Sequence, residues 1–387
     1  MNQLDILRRD LAALEHGHLL RHRRNNALPC APHARIDGRD MLAFCSNDYL
    51  GLAASPVLAD ALADGARRWG SGSGASHLVS GHYAVQEALE GRLAQFVGCE
   101  RALYLSAGYM ANSGIIPALV GRGDAVFADR LNHASLVDGM LLSRAEMNRY
   151  PHLDVDALAR MLSGSGAKRK LIATDSVFSM DGDVAPLADL LALAEDHDAW
   201  LMVDDAHGFG VLGPQGRGAV AEAGLDSWRL LRVGTLGKAA GVSGAFVGGE
   251  ADVIEWLMQK MRTYVFTTGT PPALAQALLA SIDLIEHGDA RRRHLDGLIA
   301  RFSSQLELER WRLMPSRTPI QPVLVGDNEA VLKLAAALWN EGLWVPAIRP
   351  PTVPSGSARL RVSLTAAHTE DDVDLLAATL NRLERGT

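Results

Sequence analysis

The residues best suited to covalent chemistry are the lysine closing Gly234-Thr235-Leu236-Gly237-Lys238 and the acidic cluster Val203-Asp204-Asp205-Ala206-His207-Gly208. Pyridoxal phosphate requires an amine to form a Schiff base and a carboxylate to keep its ring nitrogen protonated, so that the ring can accept electrons. Lys238 fits the first role and Asp204 the second. Most lysines are solvated surface charges, and an Asp closing a strand usually caps a turn. The pairing therefore carries the expectation, and neither residue does so alone.

Elements must deliver these groups to one place. From Met41 to about Gly249, short apolar runs alternate with helical patterns. Arg101 to Leu105, Ala125 to Ala128, Leu171 to Asp175, Trp200 to Val203 and Leu230 to Val233 read as buried strands. Such alternation predicts an α/β fold with a mostly parallel sheet covered by helices on both faces. Pro186 to His197 reads as one of those helices, with Leu187, Leu190, Leu191 and Ala194 forming a single stripe. The next strand presents Asp204 at its carboxyl end, the edge where ligands bind in open α/β sheets. Leu4, Leu7, Leu11 and Leu14 predict an amphipathic helix over about Leu4 to Arg24, packed on the rest of the fold. Composition shifts near Glu286-His287-Gly288-Asp289. The expected organisation is an N-terminal helical segment over 1–45, a large cofactor-binding domain over 46–286 and a small C-terminal α+β domain over 287–387.

With 387 residues the chain can bury a sizeable core, and 48% hydrophobic with 21% charged residues is the balance of an ordinary globular protein. A net charge of -7 argues against a nucleic-acid surface, and Arg21-His22-Arg23-Arg24 and Arg291-Arg292-Arg293 read as solvated faces. Cys30, Cys45 and Cys99 form no CxxC pair and no zinc spacing, so no metal site is expected and a reducing compartment is. No apolar run approaches the roughly 18 residues of a membrane span, and the N-terminus lacks a leader's apolar core. A cytoplasmic protein with neither membrane nor nucleic-acid partners is expected.

Several motifs fail. Gly70-Ser71-Gly72-Ser73-Gly74 has no following Gly-Lys-Ser/Thr, and there is neither a GxSxG elbow nor an HExxH pair. Ser106-Ala107-Gly108-Tyr109-Met110-Ala111-Asn112 instead follows a strand and opens a helix whose free N–H groups suit a phosphate, although a plain strand-to-helix turn reads the same way. Asn132-His133-Ala134-Ser135 reads as a helix cap unless a flat ring needs a stacking partner at His133.

These segments, with Asn47-Asp48-Tyr49-Leu50-Gly51-Leu52, Leu78-Val79-Ser80-Gly81, Asp175 to Gly182, Asp204 to Gly213, Pro271-Pro272 and Ile348 to Pro354, run through almost the whole chain in order. In them the chain resembles the α-oxoamine synthases, a branch of the fold type I pyridoxal phosphate enzymes. The resemblance implies a mixed, mostly parallel seven-stranded sheet plus a small C-terminal α+β domain. Lys238 would carry the Schiff base and move a proton, Asp204 would pair with the ring nitrogen, and His207 and Ser179 would meet the ring's phenolic oxygen. His133 would stack on the ring, while Gly108, Tyr109 and Thr235 would hold the phosphate. Thr267 or Thr268 would reach the phosphate of a partner subunit, implying a homodimer with shared active sites. Arg361 and Asn47 would bind the substrate α-carboxylate, with Arg349 and Thr352 lining the same entrance and Arg21 meeting the acyl substrate. Where the family often has Gly-Gly-Ser-Arg, this chain has Gly74-Ala75-Ser76-His77, which bears on acyl specificity. The implied reaction is decarboxylative condensation of L-alanine with a pimeloyl thioester, carried on coenzyme A or on an acyl carrier protein. The alternatives are a sibling reaction, such as glycine with acetyl-CoA, and a non-catalytic cofactor-binding protein.

Overall fold

A computed structural model describes residues 2–17 and 19–386. Seven strands form the central sheet, in the order Arg101–Leu105, Ala245–Gly249, Leu230–Thr235, Ala199–Asp204, Lys170–Asp175, Ala125–Asp129 and Glu146–Tyr150. Ala245–Gly249 runs antiparallel to both its neighbours, and every other pairing is parallel. The five strands expected from apolar runs are all present. The two that the sequence hides have physical reasons for being hidden. Glu146–Tyr150 is an edge strand with one fully buried residue, and Ala245–Gly249 is rich in small residues that carry little strand preference.

The helix Leu187–Asp196 buries Leu187, Leu190, Leu191 and Ala194, the stripe read from its periodicity. Each such leucine contributes about 1.5–3 kcal/mol on burial. The N-terminal helix is shorter than expected. It spans Gln3–His16, starts on a reciprocal Asn2–Asp5 cap and stops where the Gly17 N–H bonds back to Ala13 and Glu15. It also does not pack as expected, because Leu4, Leu7, Leu11 and Leu14 are all exposed. The strands His33–Ile36 and Arg39–Ala43 follow, joined by Asp37-Gly38 with both residues at positive φ, the combination favoured by a two-residue hairpin turn. Arg39–Ala43 pairs in parallel with Leu343–Trp344, tying the start of the chain to its last hundred residues.

That C-terminal part contains an antiparallel sheet in the order Arg312–Leu313, Ile320–Gly326, Ala358–Ser363 and Ala347–Ile348. Arg359 and Arg361 lie two apart on Ala358–Ser363 and therefore share a face. Both reach the loop after Lys170–Asp175: Arg359 donates to the Asp181 carboxylate at 2.7 Å and Arg361 to the Ser179 carbonyl at 2.5 Å. From the other side, His152 bonds to Asp129 at 3.0 Å and to Asp183 at 2.7 Å. Burial pushes its pKa down, but the two carboxylates outweigh that and raise it to about 10, so the imidazole is charged and clamps this loop. No described helix is long and apolar enough to cross a membrane.

Candidate active site

Lys238 lies in the tight connection between Leu230–Thr235 and Ala245–Gly249, its carbonyl accepting from the Gly241 N–H at 2.9 Å. Its amine is 2.9 Å from His207 Nε2. Burial lowers the Lys238 pKa to about 8, against the opposing pull of the Asp204 and Asp175 carboxylates. His207 Nδ1 sits 2.6 Å from the hydroxyl of the fully buried Tyr49. That hydroxyl is in turn 3.2 Å from Asn47 Oδ1, which also accepts from Arg361 at 3.2 Å. The loop presenting Asn47 and Tyr49 is fixed by Asp48, whose two oxygens accept from the Leu52 and Ala53 N–H groups. At Gly51, with φ +64, a Cβ would come within 2.9 Å of Ala367 Cβ, so only glycine fits that turn.

Asp204, at the carboxyl end of its strand as expected, is buried and accepts from Asn112 Nδ2 at 2.6 Å and from the Ala206 N–H at 3.0 Å. Asn112 also donates to Ser135 at 2.9 Å, and Ser135 bonds His133 Nδ1 at 2.7 Å. His133 caps the helix Ala134–Ser143, and its own N–H donates to Asp175 at 2.7 Å. Burial lowers the His133 pKa while the Asp204 charge opposes it. Burial raises the Asp175 pKa, and the neighbouring Asp204 charge adds to the rise. Tyr49, Asn112, Ser135 and Asp175 lie within motifs noted in the sequence, yet nothing in those motifs assigns them a contact.

The helix Gly108–Leu119 begins without a side-chain cap, leaving its first N–H groups for a ligand. A Cβ at Gly108 would lie 2.5 Å from Thr235 Cγ2, so the glycine backbone and the threonine form a close-set cradle. An uncapped helix start with an adjacent hydroxyl, a buried carboxylate and a half-desolvated lysine is the donor set that pyridoxal phosphate needs, and the residues present fit it.

A cavity of about 530 Å³ is lined by His133, Phe178, Ser179 and Thr352, among others. Arg349, which the sequence reading sets beside Thr352, accepts from the Thr352 N–H at 3.0 Å through its carbonyl. It lines a separate cavity of about 770 Å³, together with Arg21, His22 and Arg24. The turn at cis Pro350-Pro351 lies between the two residues. Thr267 and Thr268 are not brought to the Lys238 cluster by any hydrogen bond among the described residues. Thr268 bridges Ser76, next to exposed Phe266. His77, at the position that departs from the family pattern, stacks on Tyr264 with centroids 4.8 Å apart.

A family model described as aminotransferase class I and II matches residues 39–380. An 8-amino-7-oxononanoate synthase of Azoarcus sp. (strain BH72) is 75% identical over 381 residues, covering 98% of both chains. One of Aromatoleum aromaticum is 74% identical, covering 98% of this chain and 99% of the relative. The chain belongs to the 8-amino-7-oxononanoate synthase family. Among solved structures, a serine palmitoyltransferase from S. paucimobilis with bound PLP superposes with a TM-score of 0.93 at 30% identity, covering 100% of this chain and 99% of that one. An 8-amino-7-oxononanoate synthase from Francisella tularensis gives 0.76 at 30% identity, covering 89% and 98%. The fold is thus that of the class I and II aminotransferases, and the implied mixed sheet is the one observed.

Proposed function

We propose that this protein is a pyridoxal 5′-phosphate-dependent C-acyltransferase that condenses L-alanine with a pimeloyl thioester, releasing carbon dioxide and forming 8-amino-7-oxononanoate for biotin synthesis in the cytoplasm. The observation that carries this reading is the partly desolvated Lys238 amine held by His207 beside buried Asp204, in a chain whose near-full-length relatives bear that activity's name. When bound, the cofactor supplies an aldehyde for amines and a protonated ring that accepts the electron pair left at the substrate α-carbon.

The protein's part is positional and protonic. Lys238 would hold the cofactor through Nζ, and its free amine would take the substrate α-proton at Nζ and return it. Asp204, held in place by Asn112 and the Ala206 N–H, would keep the ring nitrogen protonated. His207 and Ser179 serve the phenolic oxygen, and His133 serves the ring face. Gly108, Tyr109 and Thr235 bind the phosphate. Arg361 and Asn47 receive the α-carboxylate, which suits a guanidinium's two-donor fork. Arg349 and Thr352 line the amino acid entrance, with Thr352 on the 530 Å³ cavity, and Arg21 meets the acyl donor. The division near residues 46 and 287 belongs to the same reading, with the N-terminal hairpin joined to the C-terminal unit through Leu343–Trp344.

The test compares kcat/KM for pimeloyl-CoA and acetyl-CoA, each with alanine and with glycine. At half of the ~0.8 kcal/mol available per buried methylene, five further carbons give about 2 kcal/mol, or roughly thirtyfold preference for the longer chain. Faster condensation of glycine with acetyl-CoA would reassign the chain to a sibling reaction.

A homodimer with shared sites is part of the proposal, with Thr267 or Thr268 reaching the phosphate across the subunit boundary. Co-expression of a Lys238→Ala chain with a chain carrying Thr267→Ala and Thr268→Ala should then give heterodimers with one intact site. Random pairing would restore about a quarter of wild-type activity, well above either variant alone. A fully active monomer in sedimentation would rule out shared sites.

A further inference from the structure

We infer that Tyr49 is a positioning residue that sets the tautomer of His207 and, through it, the charge of Lys238. The inference rests on the proposed attachment of the cofactor at Lys238. An ammonium has three donors and no acceptor, so a charged Lys238 at 2.9 Å requires His207 Nε2 to accept. The ring's single proton must then sit on Nδ1. Only the Tyr49 oxygen, 2.6 Å away, receives it among the described residues. The tyrosine's own hydrogen goes on to Asn47 Oδ1 at 3.2 Å, an atom that also takes the Arg361 N–H. Every donor in this run has an acceptor, and its direction is dictated by the ammonium at one end and the guanidinium at the other. His207 stays neutral throughout, since burial and then the charges of Lys238, Arg361 and His133 all oppose its protonation.

Without the phenol oxygen, a buried N–H at Nδ1 would lack an acceptor. Moving the proton to Nε2 relieves that but sets N–H against ammonium, and the conflict disappears only when Lys238 is neutral. The other charges facing Lys238, namely Asp204, Asp175 and Arg361, are the same in either case. Losing a charge-assisted hydrogen bond of this kind corresponds to about a tenfold or larger rise in the ratio of neutral to charged amine at fixed pH. Phenylalanine keeps the ring packing in this fully buried position, so the effect belongs to the hydroxyl.

The test uses the full-length protein. In the cofactor-free wild type, ¹⁵N NMR of labelled histidine below the Lys238 midpoint should find the His207 proton on Nδ1. In Tyr49→Phe it should move to Nε2. Competitive acylation with acetic anhydride, read by peptide mass spectrometry, should show the Lys238 midpoint lowered by at least about one pH unit and about fivefold faster labelling at pH 7. A Tyr49→Phe protein with lowered stability but an unchanged Lys238 midpoint and His207 tautomer would overturn the inference. Were the variant not to fold, a wild-type His207 carrying its proton on Nε2 would overturn it equally. Should Lys238 prove not to be the attachment residue, the tautomer and acylation results would still decide the inference, so the two failures are distinguishable.

Discussion

Lys238→Ala is expected to lose turnover by about 10⁴-fold or more, and to lose the covalent cofactor adduct that borohydride traps in the wild type. Among the described residues no second lysine shares the His207, Asp204 and Arg361 surroundings that hold this amine. The pH dependence follows from the same environment. With a pKa of about 8 rather than 10.5, the neutral amine at pH 7 is ~300-fold more abundant than for an ordinary lysine, so cofactor attachment should accelerate with rising pH and level off above about 8. Peptide mapping after reduction checks the site. Finding the adduct on Lys260, or a rate still climbing near pH 10, would show that another lysine carries the chemistry.

Asp204→Asn is expected to retain cofactor but lose roughly 10²–10³ in kcat, because a neutral pyridine is a much weaker electron acceptor than a pyridinium. The surroundings make the substitution worse than a simple loss of charge. Both Asp204 oxygens accept from donors, Asn112 Nδ2 and the Ala206 N–H, so one side of an asparagine amide would set N–H against N–H. A modest fall in stability should accompany the rate loss. Near-normal turnover by this variant would show that another group protonates the ring.

How far the site was legible follows from chain separation. Asp204 at the end of Ala199–Asp204 and Lys238 in the turn after Leu230–Thr235 announce themselves through local pattern, each following an apolar run that reads as a buried strand. His133 was likewise read as a cap or a stacking group, and the structure makes it the cap of Ala134–Ser143. The contacts that tune these groups were not legible. Tyr49 meets His207 across 158 residues, Asn112 meets Asp204 across 92, and Arg361 meets Asn47 across 314. No periodicity encodes such pairings. The N-terminal helix shows the opposite limit, for its stripe of leucines is readable in the sequence while their exposure among the described residues is not.

The sequence by itself determined the kind of chemistry and the elements that carry it. Residue type limits which side chains can hold a cofactor, and periods of two and 3.6 decide which segments bury a face. Only the tertiary structure decided the electrostatic state of the site and which arginines line which cavity. A lysine amine falls to about 8, and Arg349 joins Arg21 and Arg24 around one cavity, only once long-range packing has removed water and fixed the neighbouring charges.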